Sequence, residues 1–271
     1  MKEIKALISD FTTVICYEVP ADKDNPLLQK RFVYEIDRVT KQLEKHFKKR
    51  LSKKQIRLQC ELSKRAAESF VKFEAACENL AVSDSAYLFI ASSYKWTNNK
   101  AEWKKHLDAL IDEITKNDDL KTSECPGILF FGSPIYAPNY KLLFLIEEIQ
   151  LRISKFIHPD IEHIKNLQKM DCKLVSIKYL ALKYLESDIS SAFIKNSVMT
   201  DLVIEILKSG KIKGAVGHIL KGQIEYDFEY KAIAPLFEDY KIPIIRIDTV
   251  YNYQNSEQLS LRLETFSEVV R

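Results

Sequence analysis

Hydrophobic positions change rhythm along this chain. Two short apolar runs come first, IKALISD at 4–10 and TVICYEVP at 13–20, and both predict strands, being rich in Ile, Val, Leu and Tyr and closed by Asp10 and Pro20. The link between them is too short for the crossover that parallel neighbours need, so they pair as a hairpin or an intervening piece has been lost. From Asn25 to about Lys116 apolar residues recur at helical spacing: Phe32, Ile36, Val39, Leu43 and Phe47, then Ile56, Leu62, Ala66, Phe70, Phe73 and Cys77. Ser52 predicts an N-cap for the second of these helices and Asn79 its end. A further helix is expected from Asn99 to Ile114, with Trp103, Leu107, Leu110 and Ile111 on one face.

After Cys125 and Pro126 strands and helices alternate. The apolar runs at 127–133, 173–180, 213–220 and 242–249 predict strands buried on both faces, and helices are expected at 138–153, 199–209, 228–239 and 256–269. Such alternation predicts a parallel sheet sandwiched by helices. Ligands of such sheets bind beyond the C-terminal strand ends, here the tips after Phe131, Leu180, Leu220 and Ile247.

At the first tip, GSPIYAPNYKLLFLIEEI, Gly132 permits a tight turn, Pro138 occupies the first helical turn, and Leu142, Leu145 and Ile146 pack on the sheet. Ser133 and Tyr136 then face the crevice. At the third tip His218 shares a strand face with Val216 and Leu220, and is read as a satisfied core or crevice-edge imidazole before a catalytic base. Lys221 and Gln223 follow it into the crevice, where they can hydrogen-bond a carbonyl or a phosphate.

Composition removes several classes of function. A net charge of +3, with lysines scattered among acids, gives no basic field for nucleic acid or a membrane surface. No apolar run is long enough to span a bilayer, and the first residues do not resemble a secretory signal, so a cytoplasmic location is expected. Six glycines, without GxGxxG or GxxxxGK[ST], supply no phosphate-cradling loop. The five cysteines Cys16, Cys60, Cys77, Cys125 and Cys172 are dispersed and odd in number, which predicts separate, reduced, mostly buried thiols and no zinc site. His158 and His163, beside Asp160 and Glu162, are not read as a metal site.

From Gly214 to Val270 the chain resembles the 2-hydroxyacyl-CoA dehydratase and benzoyl-CoA reductase family, in particular the D-component of 2-hydroxyglutaryl-CoA dehydratase. The residues that carry the resemblance are Lys221, Phe228, Tyr230, the Lys241-Ile242-Pro243 strand entry, Asp248, Gln258, Arg262, Glu264, Phe266 and Glu268. The GSPIYAPNYKLLFLIEEI tip and the VPADKDNP segment with the helices after it also fit, while Arg152 to Met170 reads as an insertion. The resemblance implies a C-terminal Rossmann-like or flavodoxin-like parallel sheet covered by helices (126–271), preceded by a helical block (25–125) and a remnant of an N-terminal α/β domain (1–24).

It also implies anaerobic chemistry. Family members pair with a homologous subunit and hold a [4Fe–4S] cluster through three cysteines. An ATP-hydrolysing activator supplies one electron, which the cluster passes to the thioester carbonyl of an acyl-CoA; related members reduce an aromatic acyl-CoA ring. Here the family's Phe-Cys-Asp-Pro is replaced by Gly222, Gln223, Ile224 and Glu225, so Gln223 stands at a cluster-ligand position. The helix that carries cysteine in the N-terminal domain is reduced to Phe11, Thr12 and Thr13, and Cys16 falls inside the second predicted strand. The expectation is therefore a chain without catalytic residues, metal ligands or cofactor of its own, supporting a homologous subunit that carries the [4Fe–4S] cluster. Two other readings stay open: a stand-alone module binding acyl-CoA or another small ligand, and an active dehydratase subunit whose cluster has unexpected ligands.

Overall fold

The computed structural model describes residues 12–78, 80–120, 126–251 and 256–271. Contacts divide the chain into two compact units: the first comprises 1–61, 170–188 and 192–195, the second 62–169, 189–191 and 196–271. The predicted strand at 4–10, Cys125 and Asn79 lie outside the described residues. The predicted strand at 13–20 does not form: its described residues join no ladder. A run this short gains little from an extended conformation without a partner strand.

In the first unit, helix α1 (Pro26–Phe47) starts where the Asn25 side chain accepts from the Leu27 N–H at 3.0 Å and proline fills the first helical position. It packs against α7 (Ile177–Ser187) through Phe32, Ala181, Leu185 and Phe193. The segment 173–180, predicted as a strand, thus enters a helix instead. Ser176 explains the reversal: its hydroxyl accepts from the Tyr179 N–H at 3.1 Å, an N-cap inside the apolar run. Lys23 is buried in this unit, where its ammonium donates to the Asp188 carbonyl at 2.7 Å.

Helix α2 (Lys53–Cys77) begins in the first unit and continues into the second. Its start is a reciprocal capping box, in which the Ser52 hydroxyl accepts from the Gln55 N–H at 3.2 Å and the Gln55 amide oxygen accepts from the Ser52 N–H at 2.9 Å. Then come α3 (Asp84–Trp96) and α4 (Lys100–Lys116), the latter close to the expected 99–114 and capped by Asn99, whose side chain accepts from the Glu102 N–H.

The second unit is built on a parallel sheet of β1 (Gly127–Gly132), β2 (Arg152–Phe156), β3 (Gly214–Leu220) and β4 (Ile244–Thr249), in the order β2-β1-β3-β4. Strand β2 lies in what the sequence presents as an insertion. RISKF is a short edge strand with only Ile153 and Phe156 buried, so it carries no continuous apolar run. Helices α5 (Lys141–Glu148), α6 (Pro159–Gln168), α8 (Ser197–Lys208), α9 (Ile224–Asp239) and α10 (Ser256–Val270) connect and follow the strands. Pro138 lies in the turn before α5, after a cis peptide bond, and not in the helix.

Strand residues alternate between two cores. Ile128, Phe130, Val216 and Ile247 join the core formed with α2 to α6 and α10, whereas Leu129, Phe131 and Ala215 join that formed with α8 and α9. Both sheet faces are thereby covered, which is why β3 is buried at every position. Among the described residues no helix is long and apolar enough to cross a membrane.

Candidate functional site

The C-terminal ends of β1, β3 and β4 meet in a closed hydrogen-bond system. Gly132 adopts a φ of +108°, and a Cβ there would lie 2.2 Å from the His218 carbonyl oxygen, so the chain can turn off β1 only at glycine. The Ser133 N–H donates to that carbonyl at 2.7 Å, and the Ser133 hydroxyl accepts from the Leu220 N–H at 2.9 Å. His218 lies between the strand ends, its Nδ1 2.7 Å from the Ser133 carbonyl and its Nε2 2.7 Å from the Thr249 hydroxyl. A carbonyl only accepts, so Nδ1 carries the proton and Nε2 accepts from Thr249. Burial pushes the imidazole pKa down to about 4, which keeps the ring neutral and both nitrogens engaged. Ser133 and His218, expected at the crevice, come together here as buried cross-links between strand ends.

Tyr136 belongs to a second group. Its half-buried ring meets His158 edge-on with centroids 5.2 Å apart, and burial together with the nearby Asp160 carboxylate raises the phenol pKa. His158 opens α6, its Nδ1 accepting from the Asp160 N–H at 3.2 Å while Nε2 faces the Ile135 carbonyl at 3.3 Å. Its pKa is pushed down to about 4 by burial. Lys95 stands 3.6 Å from the Asp160 carboxylate and over the Tyr136 ring.

Lys221 and Gln223 diverge. Lys221 is exposed and lines a cavity of about 130 Å³ with Lys141, Asp248, Thr249, Gln258 and Arg262. Lys141 is buried and donates to the Val250 carbonyl at 3.2 Å, and burial lowers its pKa. Asp248 accepts from Arg246 at 2.7 Å, Arg246 also bonds Asp227, and Arg262 donates to the Arg246 carbonyl at 2.7 Å. Three cationic side chains thus surround a small cavity whose one carboxylate is already paired, an arrangement that can hold a small anion or a phosphate group.

Gln223 is not among the residues lining that cavity. After Gly222 at a φ of +97° it takes the N-cap position of α9, its N–H donates to the Leu220 carbonyl at 3.0 Å, and its side chain makes no capping bond. The side-chain Oε1 is buried and accepts no hydrogen bond. Lys141 and Thr249 escaped sequence reasoning. A hydroxyl closing the isoleucine-rich β4 was the available signal for Thr249, and for Lys141 a lysine opening an apolar helix.

The expectation that no two cysteines converge is overturned. The Sγ atoms of Cys60 and Cys172, 112 positions apart in sequence, lie 2.8 Å from each other within the first unit. Spacing could not show this, because the approach depends on how α2 and the turn before α7 are placed. Cys77 is buried in the core of the second unit and its thiol is pushed up to about 12 by burial, which makes it a poor ligand and nucleophile. Cys16 is half-buried, and its carbonyl accepts from Arg38 at 2.6 Å.

An iron–sulfur cluster needs several thiolates converging on one place. The tip at Gln223 offers a carboxamide, and no group of three or more His, Cys, Asp or Glu residues is arranged to hold a metal ion among the described residues. The residues present therefore do not fit a [4Fe–4S] cluster at this position. The family model described as 2-hydroxyglutaryl-CoA dehydratase, D-component, matches residues 1–270. No curated protein matches the chain.

Proposed function

The chain belongs to the 2-hydroxyglutaryl-CoA dehydratase D-component family, and from that membership we propose that it is a cluster-less subunit of a dehydratase-type complex, supporting a homologous subunit that holds the iron–sulfur cluster. The observation that carries this reading is Gln223. It stands where the resemblance puts a cysteine, on a strand tip whose buried histidine and serine help hold β1, β3 and β4 together. An amide is a poor ligand for iron, and a buried neutral imidazole with both nitrogens bonded is neither a ligand nor a base. Such a tip preserves shape and gives up chemistry. The strand order β2-β1-β3-β4 supports reading the sheet as flavodoxin-like, with its switch point between β1 and β3. The same reading keeps 1–24 as the remnant of an N-terminal α/β domain.

A docking partner also suits the start of α9. Ile224 and Phe228 follow Gln223 one helical turn apart, and both side chains are mainly exposed, at 64% and 63%. An apolar pair beside the strand tip is suited to burial against a second subunit. Anoxic co-expression with a homologous cluster-bearing subunit tests the reading. A stable co-purifying pair is expected; a chain that purifies alone and retains no homologue would remove the proposal's support.

One observation favours a second reading, a module that binds acyl-CoA or another anionic ligand without converting it: the cavity bounded by Lys141, Lys221 and Arg262. Saturating acyl-CoA should then raise the thermal midpoint. The rise should shrink in Lys221→Ala. No shift across a panel of acyl-CoAs would exclude this role.

A further inference from the structure

Cys60 and Cys172 are the sulfur pair that the proposed supporting role does not use. Cys60 is buried on the third turn of α2, and Cys172 is partly exposed in the turn that leads to α7. That turn is fixed from both sides: the Lys173 N–H donates to the Asp171 carboxylate at 2.8 Å, and the Asp171 N–H donates to the Tyr179 hydroxyl at 2.9 Å. With their sulfurs 2.8 Å apart, the two thiols need only a small adjustment to reach the ~2.05 Å of a disulfide bond.

Their place in the chain gives such a bond a purpose. The polypeptide leaves the first unit after Glu61 and re-enters it at Met170, so Cys60 and Cys172 flank the two crossings. We propose that Cys60 and Cys172 form a reversible disulfide that ties together the two points at which the chain leaves and re-enters its first unit. The bond encloses the whole intervening stretch, and a cross-link around so long a loop restricts the unfolded chain strongly.

The oxidant is a low-molecular-weight disulfide. The partly exposed Cys172 loses its proton and attacks one sulfur of that disulfide, forming a mixed disulfide and expelling one small thiolate. Cys60 then loses its proton and attacks the Cys172 sulfur, closing the protein disulfide and expelling the second thiolate. The two released thiolates take up the two protons. Two protein thiols are oxidised, and one small disulfide is reduced to two thiols. A small thiol in excess runs the sequence backwards.

The test uses the full chain with oxidised glutathione, then alkylation under denaturing conditions and a non-reducing peptide map. Labelling is expected to disappear at Cys60 and Cys172 alone, with their peptides joined, a raised thermal midpoint, and reversal of all three by dithiothreitol. In Cys60→Ser, Cys172 should stop at the glutathione adduct. In Cys172→Ser, Cys60 should stay fully labelled. If the buried Cys60→Ser variant fails to fold, Cys172→Ser at the partly exposed position carries the comparison. Undiminished labelling of both cysteines in the wild type, a glutathione adduct there that never resolves, or linkage of either cysteine to Cys16, Cys77 or Cys125 would overturn the proposal.

Discussion

His218 shows at the scale of one residue how burial decides what a side chain does. A histidine at the C-terminal end of a central parallel strand is where catalysis is usually sought, yet this one accepts from Thr249 and donates to the Ser133 carbonyl. Thr249→Val leaves Nε2 without a donor and should cost about 1–3 kcal/mol in urea unfolding. An unchanged midpoint would show that the hydroxyl is not part of the support. Asp84 gives the pH dependence. Its carboxylate accepts from the Ile153 N–H on edge strand β2 at 3.2 Å, and burial pushes its pKa up to about 7. The folded-state value lies above the unfolded one, so this group favours folding while protonated and loses that contribution as pH rises through about 7. Asp84→Asn, which can keep the acceptor, should therefore gain about 3 kcal/mol relative to wild type between pH 5 and pH 8, measured by denaturation at both. A constant difference across that range would contradict it. The two buried histidines contribute with the opposite sign, losing stability as pH falls towards their folded values of about 4. Comparing variant with wild type isolates the Asp84 contribution.

At the scale of elements, legibility followed burial. The central strands β1 and β3 were readable because they carry continuous apolar runs, β4 because isoleucines recur along it despite its edge position, and the helices after them because each carries one apolar face. Strand β2 was hidden by its edge position, and α7 was mistaken for a strand because its apolar residues crowd together and its cap, Ser176, sits inside the run. In the candidate site, Ser133, His218 and Lys221 were legible as strand-tip residues. Their division into a closed cross-link and an open cationic cavity was not, since hydrogen-bond partners at Thr249, Leu220 and Val250 come from distant segments. Two local devices make predictions. Ser52→Ala should remove half of the α2 capping box and cost about 1 kcal/mol. Gly217→Ala should cost more, about 1–3 kcal/mol, because its Cβ would meet the Tyr230 ring at 2.4 Å, a ring stacked on Phe131. Thermal unfolding checks both, and a Gly217→Ala variant as stable as wild type would mean that Tyr230 can move aside at no cost.

At the scale of the molecule, the second unit carries a parallel sheet covered on both faces, and the tip where the resemblance puts a ligand cysteine holds the amide of Gln223. On the proposed reading, that combination is expected of a subunit selected for the surface it offers to a partner. Phe228→Glu should accordingly weaken co-purification with a homologous subunit while leaving the isolated chain's thermal midpoint within about 1 °C, since surface changes rarely exceed ~0.5 kcal/mol. The central claim is that this chain holds no iron–sulfur cluster of its own. Its most direct test is an iron and acid-labile sulfide assay, with an ultraviolet–visible spectrum, on the chain purified anoxically, first alone and then with its partner. A colourless, iron-free chain that enters a brown complex only with the partner is the predicted result; a brown, iron-loaded chain on its own would contradict it.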